Sequence, residues 1–507
     1  MPVTTPPTPF NIDLSADPSG SGSHREQVRV HLPGSGVIPK IDVYFLVDST
    51  GSMTGIINAV RANVEDILSR LVTAAGTVAA DLHFGVGNYR DLDFPLAQRF
   101  HHQVSLTSSS AAAANGIQAW SVAGGTTTAE GQFLALDHLA QPPGGTIGWR
   151  ADAKRIVLWI GDAPGHDPIC QAVSGLTYDI TEHSVIHKLQ TQGISVLVIS
   201  TPSGSSGPGL DVDPVPLSNG TPFQGNCSIG GAAGQGSRIA AATGGTYTDG
   251  ITPATVVNTI ITLGTTGITT IGNVSLVPGT VIAPFVRVHP ASYGPFSGVS
   301  PQDLDFELEF PSATAATSPP TTREVAVEGD VDVVVDGVKT GSTRVKITVP
   351  DLTGRYKIRC TLSELYLQLD DPNWTGDGAN IDQNVDSGIP AVEWELVPVP
   401  GGGYRIKNCD PARDRYLEVV GMSTANGAEV LTRSDPNGPH KEWLFVPAGA
   451  PDAGRLVVRI QNLHSGLVLD VRNQSLDPDA RVSQQGYWGD YPTYREKHNQ
   501  HWVLERI

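Results

Sequence analysis

Hydrophobic positions change their period three times along this chain, and the changes divide it. From Ile41 to about Leu263, short apolar runs alternate with segments of helical spacing. Such alternation predicts strands and helices wound in turn into a doubly wound α/β sheet. Strands are expected at Tyr44–Val47, Leu82–Tyr89, Ile156–Ile160 and Ser195–Ile199. Helices are expected near Ile56–Leu71, Asn115–Val122, Gly131–Leu139, Glu182–Gln192 and Ala254–Leu263. The Gly/Pro-rich stretch from Ser203 to Gly236 is too long for an ordinary connection and reads as a functional or mobile loop. From Ile271 to Val349 the period falls to two, as in Asp303–Phe310, Val325–Val327 and Thr343–Val349, which predicts a small antiparallel sandwich. Gln27–Leu32 alternates in the same way but stands ahead of the α/β segment, as a strand lying outside it.

The last third repeats itself. Tyr356–Ile358, Tyr404–Ile406 and Val458–Ile460 open three units; Leu365–Leu367, Tyr416–Val419 and Leu467–Val471 follow; Glu393-Trp394, Glu442-Trp443 and Gln500-His501-Trp502 close them. Three all-β copies of about 50 residues predict a barrel with three-fold symmetry.

Composition narrows the function more than the fold. The chain has 507 residues and a formal charge of −18, which argues against nucleic acid or an anionic membrane as the main partner. No apolar stretch is long enough to span a bilayer. Four cysteines over this length are not a disulfide framework, although Cys170 and Cys227 lie on loops that could pair. Met1–Pro7 has neither the basic start nor the apolar core of a signal peptide. The sequence therefore leaves the location open between a cell or particle surface and the cytoplasm.

The candidate chemistry begins where the strand Val43–Val47 ends. Asp48, Thr50 and Ser52 place one carboxylate and two hydroxyls at alternate positions of a Gly-containing turn before a helix. Such donors suit a hard cation, and neutral hydroxyl ligands leave much of its charge uncancelled and open to an outside carboxylate. The fragment alone could equally be a turn and helix cap. Asp48-x-Thr50-Gly-Ser52 resembles the metal-ion-dependent adhesion site of von Willebrand factor A domains, and two later segments match in order. Gly124-Gly-Thr-Thr-Thr128-Ala-Glu130-Gly131 stands at the family's second metal loop, and Arg155–Asp162 is a buried strand ending in an acid at its third. Ala163–Pro168 is similar to the integrin-β-like branch, in which Glu130 would be the second-loop ligand, with Thr128 as the alternative. The extra acids of integrins after the first motif are absent, Gly55 and Ile56 standing there. The resemblance implies a divalent cation, Mg²⁺ foremost with Mn²⁺ or Ca²⁺ possible, held by Asp48, Thr50, Ser52, Glu130 or Thr128, and Asp162. It also implies an Asp- or Glu-bearing protein ligand. In that branch the A domain is inserted into a sandwich, which suits an early strand at Gln27–Leu32.

The repeated tryptophans resemble those closing the units of ricin-B-type β-trefoil lectins, over roughly Asp351 to Ile507. Core placement of the tryptophans is expected whatever the unit binds. Sugar sites in that family need an acid, an aromatic platform and an amide, and only the third unit has the set: Asp470, Tyr487 or Trp488, Asn499 and Gln500. The second unit has Glu418 but Lys441, and the first has Gln368 with an insertion at Asp370–Trp374. The competing reading makes the unit a protein-docking spacer with a structural Asp470.

No catalytic constellation emerges. His166 and Asp167 read as loop residues or as supports behind the ligands, not as ligands; adjacent His101 and His102 on a strand point to opposite faces; and nothing beyond nearness to His166 argues activation of Cys170. The division expected is a flexible tail (1–22), a strand joining the sandwich (23–37), a von Willebrand A-like domain (38–265), the sandwich (266–350) and a trefoil (351–507). The function expected is non-enzymatic: metal-dependent adhesion through a partner carboxylate, with the trefoil binding glycan. The alternative is a scaffold whose trefoil makes protein contacts only.

Overall fold

The computed structural model describes residues 10–13, 23–124, 128–202, 209–218, 227–311, 324–370, 376–400, 402–410, 414–448, 457–488 and 498–507. The first strand, β1 (Phe10–Asp13), lies parallel to Val338–Pro350, with Ile12 opposite Ile347. Within the tail expected to be flexible over 1–22, these four residues are instead a strand, and Ile12, 1% exposed, packs in the sandwich core. The pairing also makes the sandwich mixed, not wholly antiparallel. The next strand, β2 (Ser23–Leu32), runs antiparallel to Gln302–Pro311 over its whole length. Val28, Val30 and Leu32 turn inward, while Arg25 and Arg29 pair outward with Glu307 and Asp305. Alternation of period two therefore sorts apolar from charged groups across this pair of strands.

Between β2 and its partner lies the α/β unit. Its strands are β3 (Lys40–Asp48), β4 (Asp81–Tyr89), β5 (Phe100–Thr107), β6 (Lys154–Gly161), β7 (Ile194–Ser200) and β8 (Tyr247–Thr248), in the order β5-β4-β3-β6-β7-β8. All neighbours are parallel except the edge strand β5. The order reverses at β3, which leaves a crevice at the carboxyl ends of β3, β4 and β6. Apolar side chains leave the sheet on both faces. Val43, Phe45 and Val47 meet the helices Thr54–Ala62, Val64–Thr77 and Val256–Thr269. Tyr44 and Leu46 meet Gln132–Leu139, Glu182–Thr191 and Gln235–Ala242 on the other face.

Two helices differ from the sequence reading. The helix expected over Ile56–Leu71 is two, broken at Asn63, whose side-chain amide donates to the Ala59 carbonyl. The helix expected at Asn115–Val122 runs instead over Ser110–Gln118, because the Ser109 hydroxyl caps it by accepting from the Ala112 N–H. Cys170 and Cys227 form a disulfide.

The sandwich core is continuous with one face of the α/β unit, and Leu444 and Val446 of the last third pack into the same cluster. Lys154, buried at the start of β6, donates to the Thr270 carbonyl at 2.6 Å and pairs with Asp336 of the sandwich at 2.7 Å. In the last third, Trp394, Trp443 and Trp502 are fully buried in one core. Their indole N–H groups donate to the carbonyls of Leu367, Leu417 and Leu469, the same position in each unit.

Candidate functional site

The crevice at the carboxyl edge of the α/β sheet gathers the first set of predicted residues. β3 ends at Asp48, whose Oδ1 accepts from the Thr50 N–H and hydroxyl, both at 2.8 Å. The Thr50 hydroxyl also stands 3.2 Å from that of Ser52. This fixes the turn so that three oxygens face one place, with Ser52 exposed at its mouth. Glu130 arrives from a loop clipped to the one after β6: its N–H donates to the Pro164 carbonyl, and the His166 N–H donates to the Glu130 carbonyl. Asp162, one residue beyond β6, completes the group.

Asp48, Glu130 and Asp162 are 0%, 3% and 3% exposed, and each keeps one carboxylate oxygen buried with no hydrogen-bond partner. Burial pushes the Asp48 carboxyl well above the usual carboxylate range, and the neighbouring Asp162 charge pushes the same way. Glu130 is raised by burial and then by Asp48, Asp91 and Asp162. Asp162 is raised by burial, with the Ser52 hydroxyl pulling it back. Three buried carboxylates with orphaned oxygens repel one another, and a cation or protons must offset that repulsion. Carboxylates and hydroxyls are donors of the type a divalent ion takes, but among the described residues no group of three or more His, Cys, Asp or Glu side chains is placed so that it could hold a metal ion. Thr128, the alternative second-loop residue, is exposed, and Gly125–Thr127 lie outside the described residues.

Several supports have no clear sequence signal. His166, expected as a loop residue or as a support behind the ligands, is fully buried, with Nε2 3.0 Å from the Asp91 carboxylate. Asp91 follows a strand end, as Asp48 and Asp162 do, and that pattern could have found it. Gln235 clamps Gly165 by accepting from its N–H and donating to its carbonyl, and Gln132 donates to the Ala163 carbonyl. These contacts span about 30 to 70 positions and leave no local mark.

The second set meets in the last repeat. Asp470, 5% exposed, accepts from Asn499 at 2.8 Å and Gln500 at 3.0 Å through Oδ2. Burial raises its carboxyl to about 6 against the pull of Gln500, Asn499 and the Trp488 side chain. Asn499 keeps a buried Oδ1 without a partner. The two candidate platforms differ. The Arg459 guanidinium covers the Tyr487 ring at 4.2 Å, and the Tyr487 hydroxyl lies 2.9 Å from His501. Trp488 is half-buried and packs on His498 with the two rings tilted by 54°. In the second repeat Glu418 is locked by Arg433 at 2.8 Å, Lys441 at 3.3 Å and His440 at 3.4 Å. The first repeat has Gln368 in the acid's place and apolar Ala391 and Val392 where the third has Asn499 and Gln500. Its insertion lies largely outside the described residues.

The family described as "Ricin-type beta-trefoil lectin domain-like" matches residues 345–432 and 410–485. Over residues 345–485, then, the chain is similar to a ricin-type β-trefoil lectin-like domain. Similar solved structures each cover part of the chain. A designed three-fold symmetric protein, ThreeFoil, is 30% identical over 30% of this chain and 99% of its own, with a TM-score of 0.26. The agglutinin of Rhizoctonia solani is 16% identical over 31% of this chain and 99% of its own, with a TM-score of 0.25. An exo-β-1,3-galactanase of Clostridium thermocellum, 1,3Gal43A, is 21% identical over 43% of this chain and 50% of its own, with a TM-score of 0.26. None of the curated proteins matches the chain. Within the trefoil domain, then, the tryptophans carry the core, and only the third repeat combines the acid with two amide donors.

Proposed function

We propose that this chain is a non-enzymatic binding protein with two sites, a cation-dependent one in the α/β unit and a glycan site in the third trefoil repeat. The observation that carries the first site is the group of three buried carboxylates, each with an orphaned oxygen, beside two hydroxyls. Asp48, Thr50, Ser52, Glu130 and Asp162 would hold a divalent cation, Mg²⁺ foremost with Mn²⁺ or Ca²⁺ as alternatives. The bound ion supplies an unfilled coordination position for an Asp or Glu side chain of a protein partner. The sheet order and the placement of the group at the switch in that order support a von Willebrand A-like reading of residues 38–265, and β2 supports its insertion into the sandwich.

For the glycan site, the trefoil domain's ricin-type family supports carbohydrate recognition. The unpartnered Asn499 Oδ1 is an acceptor for a sugar hydroxyl, and Trp488 is the better platform because Arg459 covers Tyr487. Two sites on one chain give avidity when both engage one surface.

Calorimetric titration of the chelator-stripped chain with Mg²⁺, Mn²⁺ and Ca²⁺ tests the first site. Saturable heats that an Asp48→Ala, Asp162→Ala variant loses support it, and equal heats in both overturn it. A glycan array probed with the full chain and an Asp470→Ala, Asn499→Ala variant tests the second. Identical array signals from both would move the trefoil domain to a docking role.

A further inference from the structure

Beside the carboxylate group lies a polar cavity of about 180 Å³, lined by Asn88, Arg90, Gln98, His101 and Ser121 with two alanines. It is tied to the first site by one side-chain step: the Asn88 amide donates to the Ser49 hydroxyl at 2.6 Å, and Ser49 follows Asp48. Volume on this scale is many times what one water needs. Its lining is rich in donors, and Arg90 is its one full charge. Among the described residues Arg90 makes no ion pair. It donates to Gln98 at 3.1 Å and to the Ser121 carbonyl at 2.8 Å, and it lies over the Phe94 ring at 5.2 Å. Its Nε is buried with no acceptor. A half-buried guanidinium with no carboxylate partner among the described residues, lining a polar cavity, is a site for an anion.

We infer that this cavity is a carboxylate pocket, and that it takes a second acidic side chain of the same segment whose first carboxylate meets the cation. That pairing of the two sites rests on the proposed function. The carboxylate is favoured over a phosphate because Asp48 acts on Arg90 through space, and the acidic group next door repels a dianion more than a monoanion. The planar fork of Arg90 also suits a carboxylate edge.

Saturation-transfer NMR of butyrate on the full chain tests the pocket, with butyramide as the neutral probe of equal shape. Each is measured in EDTA and in Mg²⁺. Two variants are compared: Arg90→Gln removes the charge, and Gln98→Glu keeps Arg90 but pairs it internally, at the position it already bonds. Expected is transfer to butyrate in EDTA with the wild type, at least tenfold weaker binding in both variants, and none to butyramide. Equal binding in the wild type and both variants, or equal transfer to butyramide, overturns the pocket. So does absence of transfer to butyrate. A wild type that binds butyrate through Arg90 yet takes up no Mg²⁺ keeps the pocket and removes the cation reading.

Discussion

At the scale of single residues, the arrangement turns on where carboxylates sit without partners. Asp48, Glu130 and Asp162 share one buried place, and all three are pushed upward, first by burial. A carboxyl raised in the folded state favours folding while protonated, and that advantage is lost as pH rises from the free carboxylate range through the raised value. The metal-free chain should therefore lose stability from this group as pH rises above about 4. Thermal melts in EDTA at pH 5 and pH 7 check it: the fall on going to pH 7 should be smaller in Asp48→Asn than in the wild type. Asp470 follows the same sign, its carboxyl raised by burial to about 6. Because a sugar hydroxyl needs the ionised acid, retention on a glycan resin should weaken about tenfold between pH 7 and pH 5. Asp470→Asn should bind weakly at both. The acids at the strand ends were legible in the sequence because a buried run that stops at an acid is a local pattern. The buried Asp91–His166 pair and the Gln235 clamp were not, since their partners lie about 70 residues away.

Among the elements, hydrophobic period found the four central strands of the α/β sheet, three of them to within two residues and β3 four residues short at its start, because a run buried on both faces has no competing pattern; the edge strands β5 and β8, buried on less of their length, were not among those expected. Helix ends were less legible. Asn63 sits on the apolar face of a sequence that looks continuous, but its amide turns back on the Ala59 carbonyl and breaks the helix. The tail at Phe10–Asp13 was too short for its alternation to stand out, and only the vacancy beside Val338–Pro350 gives it a partner. In the trefoil domain the three tryptophans were legible as core from their spacing, whereas their common bond to a leucine carbonyl was not. Trp443→Phe loses that bond and leaves a void, so it should cost about 2–3 kcal/mol. Equilibrium unfolding in urea measures it, and a cost below about 0.5 kcal/mol would place the indole N–H outside the stabilising contacts.

For the whole molecule, the chain enters the sandwich, leaves it to build the α/β unit, and returns. The pairing of β2 with Gln302–Pro311 and the Lys154–Asp336 pair tie the two together. A chain starting at residue 33 should therefore lose the sandwich and bind Mg²⁺ less cooperatively with folding, while near-ultraviolet signals of the buried trefoil tryptophans persist. Loss of both units together would show instead that the trefoil domain leans on the sandwich through Leu444, Val446 and the Arg459 bond to the Pro284 carbonyl. The central claim is that the buried carboxylates await a cation. Its most direct measurement is the thermal midpoint of the wild type and Asp48→Asn at pH 7, each in EDTA and in saturating Mg²⁺. In EDTA the variant should melt at or above the wild type, because it removes a repelling buried charge. With Mg²⁺ at about 100 times its dissociation constant the wild type should gain about 2.7 kcal/mol and the variant almost nothing. A wild type indifferent to Mg²⁺, or a variant that gains as much, would contradict the account.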